Sequence, residues 1–149
     1  MVSFVFSVDD DPPHSGFSLG HLDVAGSDGV VSTRGHRPDQ RLMVYLSAAQ
    51  LLWDVRVLLD AGKGHRVFVG ADSTFKLTLG YSRSTVETRQ GAVLVDRSAA
   101  DSFTAAVLDS AKALFAIGVA EVEEDHVGLT DLDGAINRYE SWQIARHLP

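Results

Sequence analysis

Residues 47–71 read Ser-Ala-Ala-Gln-Leu-Leu-Trp-Asp-Val-Arg-Val-Leu-Leu-Asp-Ala-Gly-Lys-Gly-His-Arg-Val-Phe-Val-Gly-Ala, and the fold class turns on where their apolar period changes. Leu51, Leu52, Val55, Leu58 and Leu59 recur at helical spacing and make one apolar face. Ser47 and Gln50 match a capping box, and Leu46 and Leu51 match the hydrophobic staple that accompanies it. Gly62 is suited to the left-handed position that ends such a helix. From Gly64 the period drops to two. Val67, Val69 and Ala71 alternate, Asp72-Ser73 interrupts, and Phe75, Leu77 and Leu79 resume. A hairpin and one long bulged strand both satisfy that pattern.

Outward from this stretch the same two periods account for the rest of the chain. Val2–Val8 alternates and is rich in strand formers, whereas Asp9–Gly16, with Pro12-Pro13, reads as a loop because neither proline can donate to a ladder. Phe17–Val24 and Val30–Arg34 flank Asp28-Gly29, a strong hairpin-turn pair, and Gly35–Gln40 is a polar connection. Ser84–Arg89 and Ala92–Asp96 read as strands around Gln90-Gly91. Ser98 followed by Asp101 is expected to open a second helix, with Phe103, Val107, Ala111, Leu114 and Phe115 on one face and Gly118 at its end. A last helix is expected to start near Asp131 or Asp133. It turns Ile136, Tyr139 and Trp142 inward and places Arg146 and His147 at its C-terminal dipole.

The predicted fold is therefore α+β, one domain over residues 1–149. Its sheet is mostly antiparallel, of about five or six strands, with two or three helices on one face, in the order β-β-β-α-β-β-β-α-α.

The chain has 149 residues, no cysteine and a formal charge of −7. Thiol chemistry, disulfides and cysteine-based metal sites are excluded. Residues 1–120 are nearly balanced, with 13 acids against 11 bases, whereas residues 121–133 carry six acids (Glu121, Glu123, Glu124, Asp125, Asp131, Asp133) and no base. No basic stripe of the kind phosphate backbones require is visible, so nucleic acid is not an expected partner. The opening segment lacks the basic start and long apolar core of a secretory signal, and no uninterrupted apolar run approaches a membrane span of about 18 residues. A cytoplasmic location without membrane association is expected. Ten arginines against three lysines suggest a GC-rich bacterial genome.

Chemistry-bearing residues concentrate between His14 and Gln40. His21 and Asp23 share a strand face, and Arg34, His36 and Asp39 follow within reach. With Asp72 these form the candidate partner- or ligand-binding set, and as an enzyme reading His21, Asp23, His36 and Asp72 would supply a polar pocket. His21-x-Asp23 with His65 or His126 resembles the two-histidine, one-carboxylate iron site, although that site belongs to larger all-β barrels. Residues 129–140 resemble a degenerate EF-hand calcium loop. Asp131, Asp133, Gly134, Ile136 and Glu140 fall at template positions, but Leu129 stands where the first oxygen ligand belongs, and helix capping by the two aspartates is the simpler account. Ser73-Thr74-Phe75-Lys76 resembles the Ser-x-x-Lys element of β-lactamases and penicillin-binding proteins, but it alternates as a strand and its companion motifs are absent. Trp53 and Trp142 are assigned to core packing in preference to an interface.

No catalytic set, metal or cofactor is assigned. The expected function is a small binding or interaction domain, of an accessory or immunity type, that meets a protein partner or a second copy of itself. The contact would run through the polar surface His21–Asp39 or the acidic stretch 121–133.

Overall fold

The computed structural model describes residues 1–9, 15–122 and 126–147. It is α+β, as the periodicities predict, with eight strands and three helices in the described residues. Strands β1 (Ser3–Val8), β2 (Leu19–Ala25), β3 (Val30–Ser32) and β4 (Leu42–Met43) lead into α1 (Val44–Asp60). Four more, β5 (Gly64–Val69), β6 (Lys76–Ser82), β7 (Thr85–Gln90) and β8 (Val93–Ala99), precede α2 (Ala100–Glu121) and α3 (Val127–Arg146). All strand pairings are antiparallel, and they divide the strands between two sheets: β1-β2-β3 with β4 also on β2, and β5-β6-β7-β8. The predicted loop over 9–16 is described only at Asp9, Ser15 and Gly16.

One apolar core lies between the inner sheet faces and the helices. Phe4, Phe6, Leu22, Val24 and Val31 from the first sheet and Phe68, Leu77, Leu79, Val86 and Val95 from the second meet the buried faces of α1, α2 and α3. Leu51, Leu52, Val55, Leu58 and Leu59 of α1 and Phe103, Val107, Ala111 and Leu114 of α2 are all buried, as the helical period requires. By length and a mean hydropathy of 1.5, α2 is apolar enough to cross a membrane. The count of uninterrupted apolar residues missed this, because Asp101, Asp109 and Lys112 break the run.

The two sheets join where the β2–β3 turn seats on the edge of β8. Asp28 N–H and Gly29 N–H both donate to the Val95 carbonyl, at 3.0 and 3.1 Å. Ser27 N–H donates to the buried Asp96 carboxylate at 3.1 Å, and the N-terminal ammonium lies 3.8 Å from the same carboxylate. Asp96 also accepts from the Ser98 hydroxyl.

Several local expectations are corrected. α1 starts three residues before Ser47, because β4 runs directly into it, and Met43 at the N-cap makes no side-chain cap. Ser47 instead accepts the Ala71 N–H at 2.9 Å and ties the β5–β6 turn to the helix. Ser98 lies in β8, and α2 opens after Ala99 without a side-chain cap. Gly118 does not end α2: it is buried inside the helix, where an added Cβ would come within 3.0 Å of the Tyr45 ring, so glycine permits the crossing with α1. The last helix begins at Val127, with the His126 ring accepting the Gly128 N–H at 3.2 Å, rather than at Asp131 or Asp133. The region 64–82 is a hairpin, and its inward face carries Phe68, while Val67 and Val69 stand 50% and 42% exposed. Phe68 pairs directly with Leu77, so burying the larger aromatic beside Leu77 and Leu79 sets the register.

Two buried tyrosines make opposite use of their hydroxyls. Tyr139 Oη donates to the Thr104 carbonyl at 2.9 Å, whereas the Tyr45 hydroxyl has no hydrogen-bond partner among the described residues. Burial, and secondarily the charge of Glu121, pushes the Tyr45 hydroxyl up to about 12. Tyr45→Phe is expected to raise stability by about 1 kcal/mol and Tyr139→Phe to lower it by a similar amount, read from urea unfolding at neutral pH. The phenolate is disfavoured in the fold, so Tyr45's contribution is complete below the unfolded value near pH 10 and is lost as pH rises towards 12. Tyr45→Phe should therefore flatten the alkaline limb of the stability curve. An unchanged limb would contradict this account.

Candidate functional site

The predicted residues of the first sheet do assemble, as a hydrogen-bonded layer on its outer face. Thr33 Oγ1 accepts the Leu22 N–H at 3.0 Å, so its own proton is free for His21 Nδ1 at 2.9 Å. His21 Nε2 lies 3.9 Å from Asp9. Asp23 accepts from the Ser32 hydroxyl at 2.5 Å and from Arg34 Nε at 3.3 Å, while Arg34 Nη2 donates to Ser7 at 2.9 Å. Arg41, which the sequence did not single out, holds Asp39 through its backbone N–H at 2.8 Å and its Nε at 2.6 Å, and reaches Asp9 at 3.2 Å. Those bonds keep the Asp39 carboxyl below the usual carboxylate range, the backbone N–H first and the guanidinium second. His36 donates to the Ser32 carbonyl at 2.8 Å.

Asp72 does not join them. It sits exposed in the β5–β6 turn with φ of 56°, and that turn is tied to the Gln40 carbonyl through Ser73 Oγ at 2.7 Å. The enzyme reading required His21, Asp23, His36 and Asp72 to converge in one pocket, and clefts of 590 and 640 Å³ in this fold are lined by other residues.

Other sequence candidates resolve locally. His65 lies over Gly80 on the second sheet and His126 caps α3, so neither completes an iron site with His21 and Asp23. Among the described residues no group of three or more His, Cys, Asp or Glu is placed to hold a metal ion. Residues 129–140 are helical throughout, which removes the turn on which a calcium loop depends, and Glu140 pairs with Lys112 at 2.8 Å. Ser73 and Lys76 are a turn and a strand residue, not the first turn of a helix. Of the acidic stretch, Glu123, Glu124 and Asp125 lie outside the described residues.

The site that sequence reasoning missed is a groove of about 590 Å³ over α1, walled by β5 and α3. Its floor carries Leu46, Ala49 and Trp53, its lip Val67 and Val69, and its far wall Asp131, Ala135 and Arg138. Trp53 is half exposed, not a core residue, and Arg56 stacks over its ring at 5.5 Å. Trp142, by contrast, packs on the core and donates to Asp60 at 2.8 Å.

At the base of the groove, Asp54 is buried. Its Oδ1 accepts from Arg66 Nε at 2.6 Å and from Gln50 at 3.0 Å, while its Oδ2 and the Arg56 Nε, both enclosed, have no partner among the described residues. Buried polar atoms left this way cost free energy. The signal available in the sequence was a tryptophan and an aspartate one residue apart on a helix whose buried face was already complete.

Comparison with protein-family models, with curated proteins and with solved structures gives no match. Fold and site together define an α+β protein with an open groove along a sheet edge.

Proposed function

We propose that this protein is a binding module that receives an extended segment of a partner protein along β5. The observation that carries the reading is the contrast between the two edges of the second sheet. The β8 edge is closed by the Gly26–Gly29 turn, whereas among the described residues no backbone–backbone hydrogen bond reaches β5 from beyond its sheet. An edge strand with exposed valines offers unpaired backbone groups to an added strand. Trp53, stacked with Arg56, is the aromatic anchor such interfaces favour. Among the described residues the outer edge of β1 is also unpaired, but its 300 Å³ cleft presents one charged side chain, Asp109, and no exposed aromatic anchor.

The polar layer of the first sheet favours a second reading. Arg34, His36 and Arg41 are already held by hydrogen bonds, so a partner meeting them there would spend little on ordering them.

One experiment separates the two. Tagged wild type, Val67→Lys, Trp53→Ala and Arg34→Glu are used to recover the stoichiometric partner from native lysate, with light scattering to register self-association. Val67 and Trp53 are exposed, so their variants fold. The expected result is capture reduced at least ~30-fold by Val67→Lys and Trp53→Ala and unchanged by Arg34→Glu. Loss with Arg34→Glu alone would move the interface to the first sheet. A partner retained by all three variants would remove both readings.

A further inference from the structure

A second concavity, of about 640 Å³, opens on the second sheet, away from the groove over α1. Lys63, His65, Arg83, Glu87 and Arg97 line it above Gly80. In a chain of net charge −7, its charged lining is three cations and one carboxylate.

The carboxylate organises the cations. Glu87 accepts from Arg89 Nε through one oxygen and from Arg97 Nε at 2.9 Å through the other. These bonds, Arg89 first, hold the Glu87 carboxyl below its ordinary range, so it remains an acceptor in mildly acidic solution. Both guanidiniums are thereby fixed through Nε, and no hydrogen bond among the described residues engages their Nη donors. A guanidinium held this way presents a planar fork suited to oxyanions.

The β6–β7 turn contributes Arg83 from an uphill backbone. Arg83 and Ser84 have φ of 51° and 63°, the left-handed pair of a two-residue turn that favours Asn-Gly. Such strain is characteristic of positions held for function. Gly80 clears the floor, because a Cβ there would lie 3.1 Å from the His65 ring.

We infer that this cleft binds a multiply charged oxyanion, phosphoryl or carboxylate, through Lys63, Arg83 and Arg97. The negative charge of the rest of the chain opposes the approach of an anion at long range, so recognition depends on contact with these groups and weakens as salt screens them.

The test uses the full chain with tripolyphosphate and citrate in separate titrations, followed by amide chemical shifts and calorimetry at low and moderate salt. The expected result is saturable shifts at Lys63, His65, Gly80, Arg83 and Arg97 with at least one probe, weakening as salt rises. The tighter probe identifies the phosphoryl or the carboxylate source. Arg97→Gln, at an exposed side chain, should bind about tenfold more weakly. The double variant Arg83→Asn/Ser84→Gly should bind more weakly while its Tm rises by a few degrees, since the favoured turn relieves the strain. A gain in Tm rules out misfolding as the cause of lost binding. The inference is overturned if neither probe gives saturable shifts at the cleft in low salt, or if both variants bind as wild type.

Discussion

Asp96→Ala is expected to lower unfolding free energy by about 3 kcal/mol, read from urea denaturation at neutral pH. Asp96 is fully buried in β8 and sits at the junction of the two sheets. It receives the Ser27 N–H from the β2–β3 turn, the Ser98 hydroxyl from its own strand, and the N-terminal ammonium at 3.8 Å. Alanine leaves an amide and a hydroxyl without their acceptor, and hydrogen bonds to a charged group contribute about 1.5–3 kcal/mol each. The ammonium is exposed and adds little. A loss under about 1 kcal/mol would mean that water replaces the carboxylate and that the junction rests on other contacts.

Gly26→Val is expected to cost at least as much, about 3 kcal/mol or more. A Cβ at residue 26 would stand 2.3 Å from the Val95 carbonyl oxygen and 2.4 Å from Asp96 Cβ. That carbonyl accepts from both Asp28 and Gly29, so the turn cannot back away without breaking the bonds that seat it. Because the two substitutions break one junction, the double variant should cost clearly less than the two single losses added together. Additive losses in the cycle would show that turn and carboxylate stabilise the fold independently. The junction closes the β8 edge, so its loss would expose the other edge of the second sheet and should promote self-association, visible by light scattering.

Much of the candidate chemistry was legible where it depended on strand alternation. His21 and Asp23 fall two apart on β2, and the structure turns both outward into one layer with Arg34, His36 and Asp39. Arg41 escaped because its bond to Asp9 spans 32 residues and crosses the sheet. Asp72 was grouped with them by residue type; its turn is tied to Gln40, beside Asp39, but its own side chain stays exposed and makes no hydrogen bond to the layer among the described residues. The groove over α1 was hidden for a different reason. It exists only because α3 returns along α1 and β5 faces outward at its edge, and no local period encodes either placement.

The two hydroxyl caps show the same division most plainly. Ser47 and Ser98 satisfy local capping rules, yet each has another partner: Ser47 takes the Ala71 N–H, 24 positions away, and Ser98 donates to Asp96, two positions back on its own strand, which the junction of the sheets buries. What the sequence by itself determined are features written within about one helical turn or one hairpin. These are the apolar faces of α1 and α2, the turns at Asp28-Gly29 and Gln90-Gly91, the stop at Gly62 and the α+β order. Tertiary structure alone decided the split into two sheets, the inward choice of Phe68 over Val67, and which sheet edge is closed. Those outcomes compare contacts between residues far apart in the chain, as with Ser27 and Asp96, 69 positions apart. Their free energies arise only when the whole core is assembled, and local propensity cannot rank them.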